Sequence, residues 1–509
     1  MTELKTRYPG IYITSYYIGN IVLGTATLMV IPLLTSLLLK EWNPALDFAI
    51  SISVSVIVGC MMVILGRRTR KSETPLEWKY GFIIAALSWL VLMCLCSLPY
   101  LLSGHSKSLI DGCFDVMSGF TTTGLVLTQD LDHLSAGLNM WRHILTFVGG
   151  QGMVVLALSF MSKHTGSAYK LYCGEAKDIK LLPNVKYTAR IIWKISMIYL
   201  VAGTITLWIC GMFIGLSPLS AFFHGLYIFE SAWSTGGFAP NSQNMMYYHS
   251  FAYEVITIIF FILGSFNFGL HYAVWQGERK ELVRNIETRS FALTSILLCA
   301  LAAVKLTKLG VYSDAVSVFR RVIYNVLSAH TTTGFGNVYA RQFANDWGDF
   351  GIFVMVIAML IGGSACSTAG GFKGLRVGIV FKGFNSDIKK VLSPERNIRV
   401  TKYHHIKNYV LEDTFVKSSA LIIICYIVLF SVNVLIGTFC GYSLADSAFE
   451  AASVSGNVGL SIGVTSDNMP PIMKIQYILS MYLGRFEFVS AFALFGNIGG
   501  RIGKLCIKR

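Results

Sequence analysis

FDVMSGFTTTGL (114–125), YIFESAWSTGGF (227–238), YNVLSAHTTTGF (324–335) and FEAASVSGNVGL (449–460) are four versions of one phrase. Each opens on an aromatic residue: Phe114, Tyr227, Tyr324 or Phe449. Ser118, Ser231, Ser328 and Ser453 follow four positions later, then Gly124, Gly237, Gly334 and Gly459 after six more, and Leu or Phe closes the phrase. One such match carries little weight. Four of them, each lying between two apolar runs, mark an internal repeat.

The flanking runs set the architecture. Outgoing runs fall at about 80–103, 188–215, 290–312 and 412–440, and returning runs at about 137–161, 251–275, 349–380 and 472–499; they are long enough for a hydrocarbon core of roughly 30 Å. Two more runs, about 11–40 and 47–66, precede the first repeat. The reading is an all-α integral membrane protein of about ten membrane helices. Two N-terminal helices (1–78) lead into four tandem units of helix, short pore helix and helix (79–163, 164–277, 278–400 and 401–509). Two crossings per unit bring the chain back to the same side, so all four units share one orientation. Such copies can surround an axis as pseudo-fourfold neighbours, whereas inverted repeats give the in-plane two-fold of many secondary transporters.

Composition agrees. Of the 509 residues, 54% are hydrophobic and 14% charged, with a mean hydropathy of +0.59. Soluble domains carry about 25% charged residues, so lipid is the main solvent here. The first apolar run lacks the short core and small-residue cleavage site of a signal peptide, and is read as a retained helix. Most of the 11 cysteines, including Cys60, Cys94, Cys96, Cys210, Cys299 and Cys425, sit inside apolar runs without paired spacing. They read as small packing residues.

The formal charge of +15 is a matter of topology. Basic residues gather at Arg67, Arg68, Arg70 and Lys71, at Lys163, Lys170, Lys177, Lys180 and Lys186, at Lys389, Lys390, Arg396, Arg399, Lys402 and Lys407, and at Lys504, Lys508 and Arg509. Alternation with the spans places these clusters on one side. About 31 of the Lys and Arg fall there and about 9 opposite, the positive-inside pattern. A nucleic-acid partner is not implied.

The repeated phrase reads as a short helix followed by a glycine turn. Irregular backbone at membrane depth persists only when buried in protein or lining a water-filled cavity. Four such turns around an axis aim carbonyls inward, where they replace the hydration shell of a cation. Glycine allows the turn and the close approach, while the helix C-terminus adds partial negative charge. The candidate ion-binding residues are Thr122, Thr123 and Gly124; Thr235, Gly236 and Gly237; Thr332, Thr333 and Gly334; and Asn457, Val458 and Gly459. Thr121, Ser234 and Thr331 add hydroxyls beside them. Asp111, Asp115, Asp130, Asp132, Glu230, Asp446 and Glu450 lie near the short helices, where they either concentrate cations at the mouth or cap and solvate the helices.

Two features sit further along the path. GGSACSTAGG (362–371) interrupts the third return run, and its glycines are poor helix formers. Gly362, Gly363, Ser364, Gly370 and Gly371 therefore mark either a flexible gate beneath the turns or a close helix crossing. Arg485 lies inside apolar sequence, two residues before Glu487. An intramembrane cation is costly unless paired, and the offset puts Glu487 on another helix face. Arg485 is expected to pair with a different helix or with backbone carbonyls.

Together with GGQGMVVLALS (149–159), GGSACSTAGGFKGLRV (362–377) and GRFEF (484–488), the four turns resemble the Trk/Ktr/HKT superfamily of potassium transporters. The leading helices and the length are most similar to its bacterial TrkH/TrkG branch, and the resemblance covers nearly the whole chain. It implies potassium as the transported ion, a homodimer in the bacterial cytoplasmic membrane with one pore per protomer, a gating loop at 362–371 and Arg485 as a barrier beside it. It also implies a cytoplasmic nucleotide-binding ring of the TrkA type as regulator, since this chain resembles no nucleotide fold and calls for no organic cofactor of its own. Two departures stand out: the fourth turn, Ser455–Gly459, lacks threonine, and Cys366 stands where glycine is common. Plant relatives that favour sodium carry serine at the first turn glycine, so Gly124 leans toward potassium.

Two rival readings remain. A proton- or sodium-coupled symporter needs midplane acids, of which the spans hold few beyond Glu487. A membrane enzyme needs convergent nucleophile, base or metal ligands. His404 and His405 read instead as a solvated pair in a basic loop.

Overall fold

The computed structural model describes residues 9–67, 78–128, 130–152, 185–393 and 400–496. The stretch 153–161 of the first return run lies outside them, as do Arg68, Arg70, Lys71, Lys163, Lys170, Lys177, Lys180, Arg396, Arg399, Lys504, Lys508 and Arg509. Among the described residues the regular structure is helical apart from one small hairpin, Lys402–His405 paired with Lys407–Val410. An all-α membrane protein is what the apolar runs predicted.

The first span is Pro9–Leu28 continued by Val30–Leu38, and Trp42–Arg67 runs back against it. Its break follows from Pro32, which has no N–H to give the carbonyl of Leu28. The outgoing helices are Trp78–Cys96 extended by Leu98–Leu102, then Val185–Phe213, Ile286–Lys308 and Asp413–Phe439. Among the described residues six helices, these four and the leading two, are long and apolar enough to cross a membrane alone.

Each outgoing helix is followed by a short helix capped at its start by an oxygen side chain. Ser108, Ser217, Asp314 and Ser443 accept from the amides of Asp111, Ser220, Ser317 and Asp446, the arrangement that satisfies an orphan N–H at a helix start. The short helices end at Phe120, Trp233, His330 and Gly456. In the third unit the helix passes through a π-helical turn, Val318–Ile323.

The return helices are less regular than the sequence suggested. All four stop at the same depth. Gln151, Gly264 and Ile361 lie 27 residues beyond Gly124, Gly237 and Gly334, and Arg485 lies 26 beyond Gly459. Interruption was expected only at 362–371. The runs 251–275 and 472–499, read as continuous, are bent pairs: Phe251–Gly264 with Phe268–Trp275 at 98°, and Pro471–Arg485 with Val489–Gly496 at 115°. The cause is local packing. Gly149, Gly264 and Gly484 press against the carbonyls of Phe120, Trp233 and Ser455, so closely that a Cβ at any of them would collide.

Each return helix packs against the short helix of the next unit, and the fourth packs against the first. The four units therefore close a ring. Ion pairs bind two of these seams: Arg320 holds Glu254 through two bonds of 2.9 Å, and Lys474 holds Asp111 at 2.7 Å.

Candidate ion site on the repeat axis

The four turns share one backbone conformation. The residue two before the glycine is left-handed in every copy: Thr122 at φ 56°, Thr235 at 51°, Thr332 at 56° and Asn457 at 54°. Glycines 124, 237, 334 and 459 follow at φ 88°, 67°, 79° and 96°. The intervening amide, of Thr123, Gly236, Thr333 or Val458, donates back to the carbonyl of the aligned serine at 2.8 Å in all four. This 6→1 bond with a left-handed residue before it is the helix-ending Schellman arrangement. A β-branched residue at positive φ is strained, and Thr121–Thr123 (2.7 Å) and Thr331–Thr333 (2.8 Å) hydroxyl bonds brace two of the turns.

The turns also meet. A Cβ built on Gly124 would strike the carbonyl of Gly236; on Gly237, that of Thr333; on Gly334, that of Val458; and on Gly459, that of Thr123. Each glycine thus touches the carbonyl before the next unit's glycine, and the fourth touches the first. All twelve candidate ion-binding residues are brought into this one ring. Ten are buried, and Gly124 and Gly459 are half-buried. The threonine-free fourth turn fits because asparagine accepts a left-handed backbone readily. Its Asn457 side chain donates to Thr123 Oγ1 at 3.0 Å and to the Met481 carbonyl at 2.9 Å, tying the fourth unit to the first.

Directly beneath lies the interruption of the third return helix. Thr368 Oγ1 is 3.1 Å from Thr235 Oγ1 and donates to the carbonyls of Trp233 and Gly264. The Gly370 amide donates to Thr332 Oγ1 at 2.7 Å, and a Cβ on Gly370 would strike the carbonyl of Gly456. Thr122 Oγ1 donates to the Thr368 carbonyl at 3.4 Å, so residues 368–370 sit under all four units at once. Gly362 and Gly371, both at φ 74°, pack against each other at the mouth of the loop. The Gly363 carbonyl accepts from Gly374, and the Ser364 amide donates to the Ser265 carbonyl at 2.9 Å. Arg485 donates to the Thr368 carbonyl and to those of Gly149 and Gly150 at 2.9 and 3.0 Å. It pairs with carbonyls rather than with Glu487, which holds Arg376 instead.

Most of the acids behave differently from mouth charges. Asp115 and Glu450 are buried, and each grips the chain after its turn: Asp115 accepts from the Leu127 amide at 2.8 Å and Thr128 Oγ1 at 2.7 Å. Glu450 accepts from Ile462, Val464 and both groups of Thr465. Asn325 makes the matching contact to Asn337 Oδ1 at 2.7 Å. These residues hold partners twelve positions ahead, and all directly follow the aligned aromatic. Sequence reasoning missed this, although a polar residue in that one column was the available signal. The second unit has Ile228 there, and its descending chain is held from the first return helix by Asn139 and Arg142. Glu230 and Asp111 are also buried, whereas Asp130 and Asp132 are exposed and Asp446 is half-buried.

The TrkH family model, described as Cation transport protein, matches residues 51–498. The chain belongs to the TrkH family. An uncharacterised cation transporter of Methanocaldococcus jannaschii is 25% identical over 485 residues, 95% of each chain. The Trk system potassium uptake protein TrkH of Escherichia coli is 27% identical over 487 residues, 94% of this chain and 97% of its own. The crystal structure of the potassium transporter TrkH from Vibrio parahaemolyticus superposes with a TM-score of 0.81 at 24% identity, covering 95% of this chain and 98% of that one, which establishes a shared fold. As a TrkH family member the protein is a multi-pass membrane cation transporter, and its family is not an enzyme family. Among the described residues no cluster of His, Cys, Asp or Glu could hold a metal ion.

Proposed function

We propose that this TrkH family protein takes up potassium across the bacterial cytoplasmic membrane by conducting it through the ring of four glycine turns. The carrying observation is the ring itself: four left-handed turns, each glycine against the next unit's carbonyl, the last against the first. Backbone carbonyls at such a constriction replace the water of a monovalent cation, and four equivalent sets suit an ion without directional bonding. Potassium is the cargo, and the names of the TrkH relatives point to the same ion. The units fall at 79–163, 164–277, 278–400 and 401–509 after the leading pair in 1–78.

In this reading residues 362–371 are the gate, because their tip closes the ring from below and Arg485 both pins the tip and places a cation on the path. The relatives are named as parts of a Trk system, which supports a further component; in this reading it is a cytoplasmic TrkA-type ring that regulates a homodimer with one pore per protomer. Coupled symport is less well supported, since Glu487 is engaged with Arg376.

Competition among K⁺, Rb⁺, Na⁺ and Cs⁺ for flux in proteoliposomes tests the proposal. Potassium and rubidium should compete strongly and sodium weakly. Equal competition by all four would overturn potassium selection at the ring. A reversal potential that follows protons as well as potassium would replace conduction with symport.

A further inference from the structure

A chain of polar contacts links the small hairpin to the intramembrane loop. The hairpin's first strand rests on the segment entering the third outgoing helix. His404 Nε2 lies 2.8 and 2.9 Å from the carboxylate oxygens of Glu281. His405, read from the sequence as half of a solvated pair, is instead 7% exposed. Its Nδ1 is 3.2 Å from Asn285 Oδ1 and 3.6 Å from Glu287 Oε2. Glu287 is 2% exposed. Its Oε1 accepts the amide of Ala365, inside the loop, at 2.6 Å. Its Oε2 accepts from Asn267 at 3.3 Å, beside the bend of the second return helix.

We propose that Glu287 is a positioning residue that holds the intramembrane loop in its closed place, and that the hairpin latches Glu287 through His405 and Asn285. The proposal rests on reading 362–371 as a gate. A buried carboxylate is costly unless its oxygens are satisfied, so a reason for its presence is needed. The fold of a unit does not supply one. At the same distance before the turn glycine, 47 residues, the second unit has Arg190 and the fourth has Glu412, both exposed, while Glu77 of the first lies outside the described residues. The buried acid occurs in the unit that carries the loop, and it bonds to that loop. Lifting the hairpin removes His405 from over Glu287 and admits water to the carboxylate. Water then competes for the oxygen that Ala365 uses, and the loop loses its hold on the side away from Arg485.

Cys366, next to Ala365, is a native reporter of the loop. The test compares the full-length parent with Glu287→Ala, Glu287→Gln and His405→Ala in proteoliposomes. Two readouts are taken: rubidium flux, and the labelling rate of Cys366 by a water-soluble maleimide, followed by peptide mass spectrometry. Loss of a buried charge-assisted bond should raise Cys366 labelling about tenfold in Glu287→Ala, with flux rising alongside. Glu287→Gln should stay near the parent, because its amide oxygen still accepts from Ala365. His405→Ala, outside the membrane spans and so least exposed to misfolding, should raise labelling about threefold. Parental labelling in both Glu287→Ala and His405→Ala overturns the latch. Shortening 362–371 reports separately: unchanged flux there overturns the gate reading, whatever the labelling shows.

Discussion

The ring of turns and the loop beneath it are built on opposite plans. The ring is made four times over, mainly of backbone, with the same dihedral signs and the same 2.8 Å bond in each copy. The loop is made once, and side chains hold it: Thr368, Arg485, Glu287 and the hydroxyl of Thr332. All four return helices stop at that depth, yet among the described residues only the third opens into a loop that reaches under the ring. Repetition suits selection, because a spherical ion is best surrounded by equal neighbours. A single copy suits control, because one element can move without dismantling the ring.

The largest expected effect comes from breaking the repetition. Gly334→Ser places a side chain at φ 79° against the carbonyl of Val458. Potassium over sodium selection should fall by about tenfold or more, as one tenfold step is only about 1.4 kcal/mol. Unaltered selectivity in flux competition would contradict the role of the turns. The next effect comes from the single-copy element. Shortening 362–371 should raise flux by about tenfold or more while leaving the ion order unchanged, since it removes the several buried bonds that hold the barrier in place. A change of ion order would mean that the loop, too, selects.

Smaller effects sharpen the contrast within the ring. Asp115→Ala, Asn325→Ala and Glu450→Ala each strip the descending chain of its tie twelve residues ahead. Each should destabilise the protein by about 1–3 kcal/mol, most for Glu450, which grips the most groups. Ile228→Ala should lack this component, because the second unit is tied from its neighbour's helix instead. Thermal unfolding of the four variants in one detergent measures the order.

The smallest effect is a pH dependence of the hairpin. Hydrogen bonds to Asn408 and Glu281, together with the Glu281 charge, raise the pKa of His404 above the usual imidazole value, against partial burial and the nearby Arg284. Burial pushes His405 the other way, to about 4, so it stays neutral. A raised histidine favours docking below its ordinary pKa, and that contribution fades as pH rises through the raised value. Hydrogen exchange over 402–410, corrected for intrinsic rates, should therefore quicken from about pH 6 to about pH 8. Equal protection at both would remove His404 from the account.

Much of the ring was legible because the chain states it four times: glycine, aromatic and serine in register need no partner to be noticed. Two of the breaks in the return helices were not. Phe266–Asn267 and Phe486–Phe488 carry none of the glycine runs that mark 362–371, and contact with the short helices bends them. The burial of His405 was hidden because Asn285 and Glu287 lie more than a hundred residues away in sequence. Asp115 and Glu450 were readable only as mouth charges or as helix caps, because an acid's exposure depends on where the chain returns. Arg485 was readable, since a cation in apolar sequence must find carbonyls or an acid.

The decisive measurement is an anomalous-difference map of the protein crystallised in rubidium or thallium. A single column of ion density on the axis, flanked by the carbonyls of Thr123, Gly236, Thr333 and Val458, is the expected result. Ions found only elsewhere, with the axis empty at saturating concentration, would contradict the account.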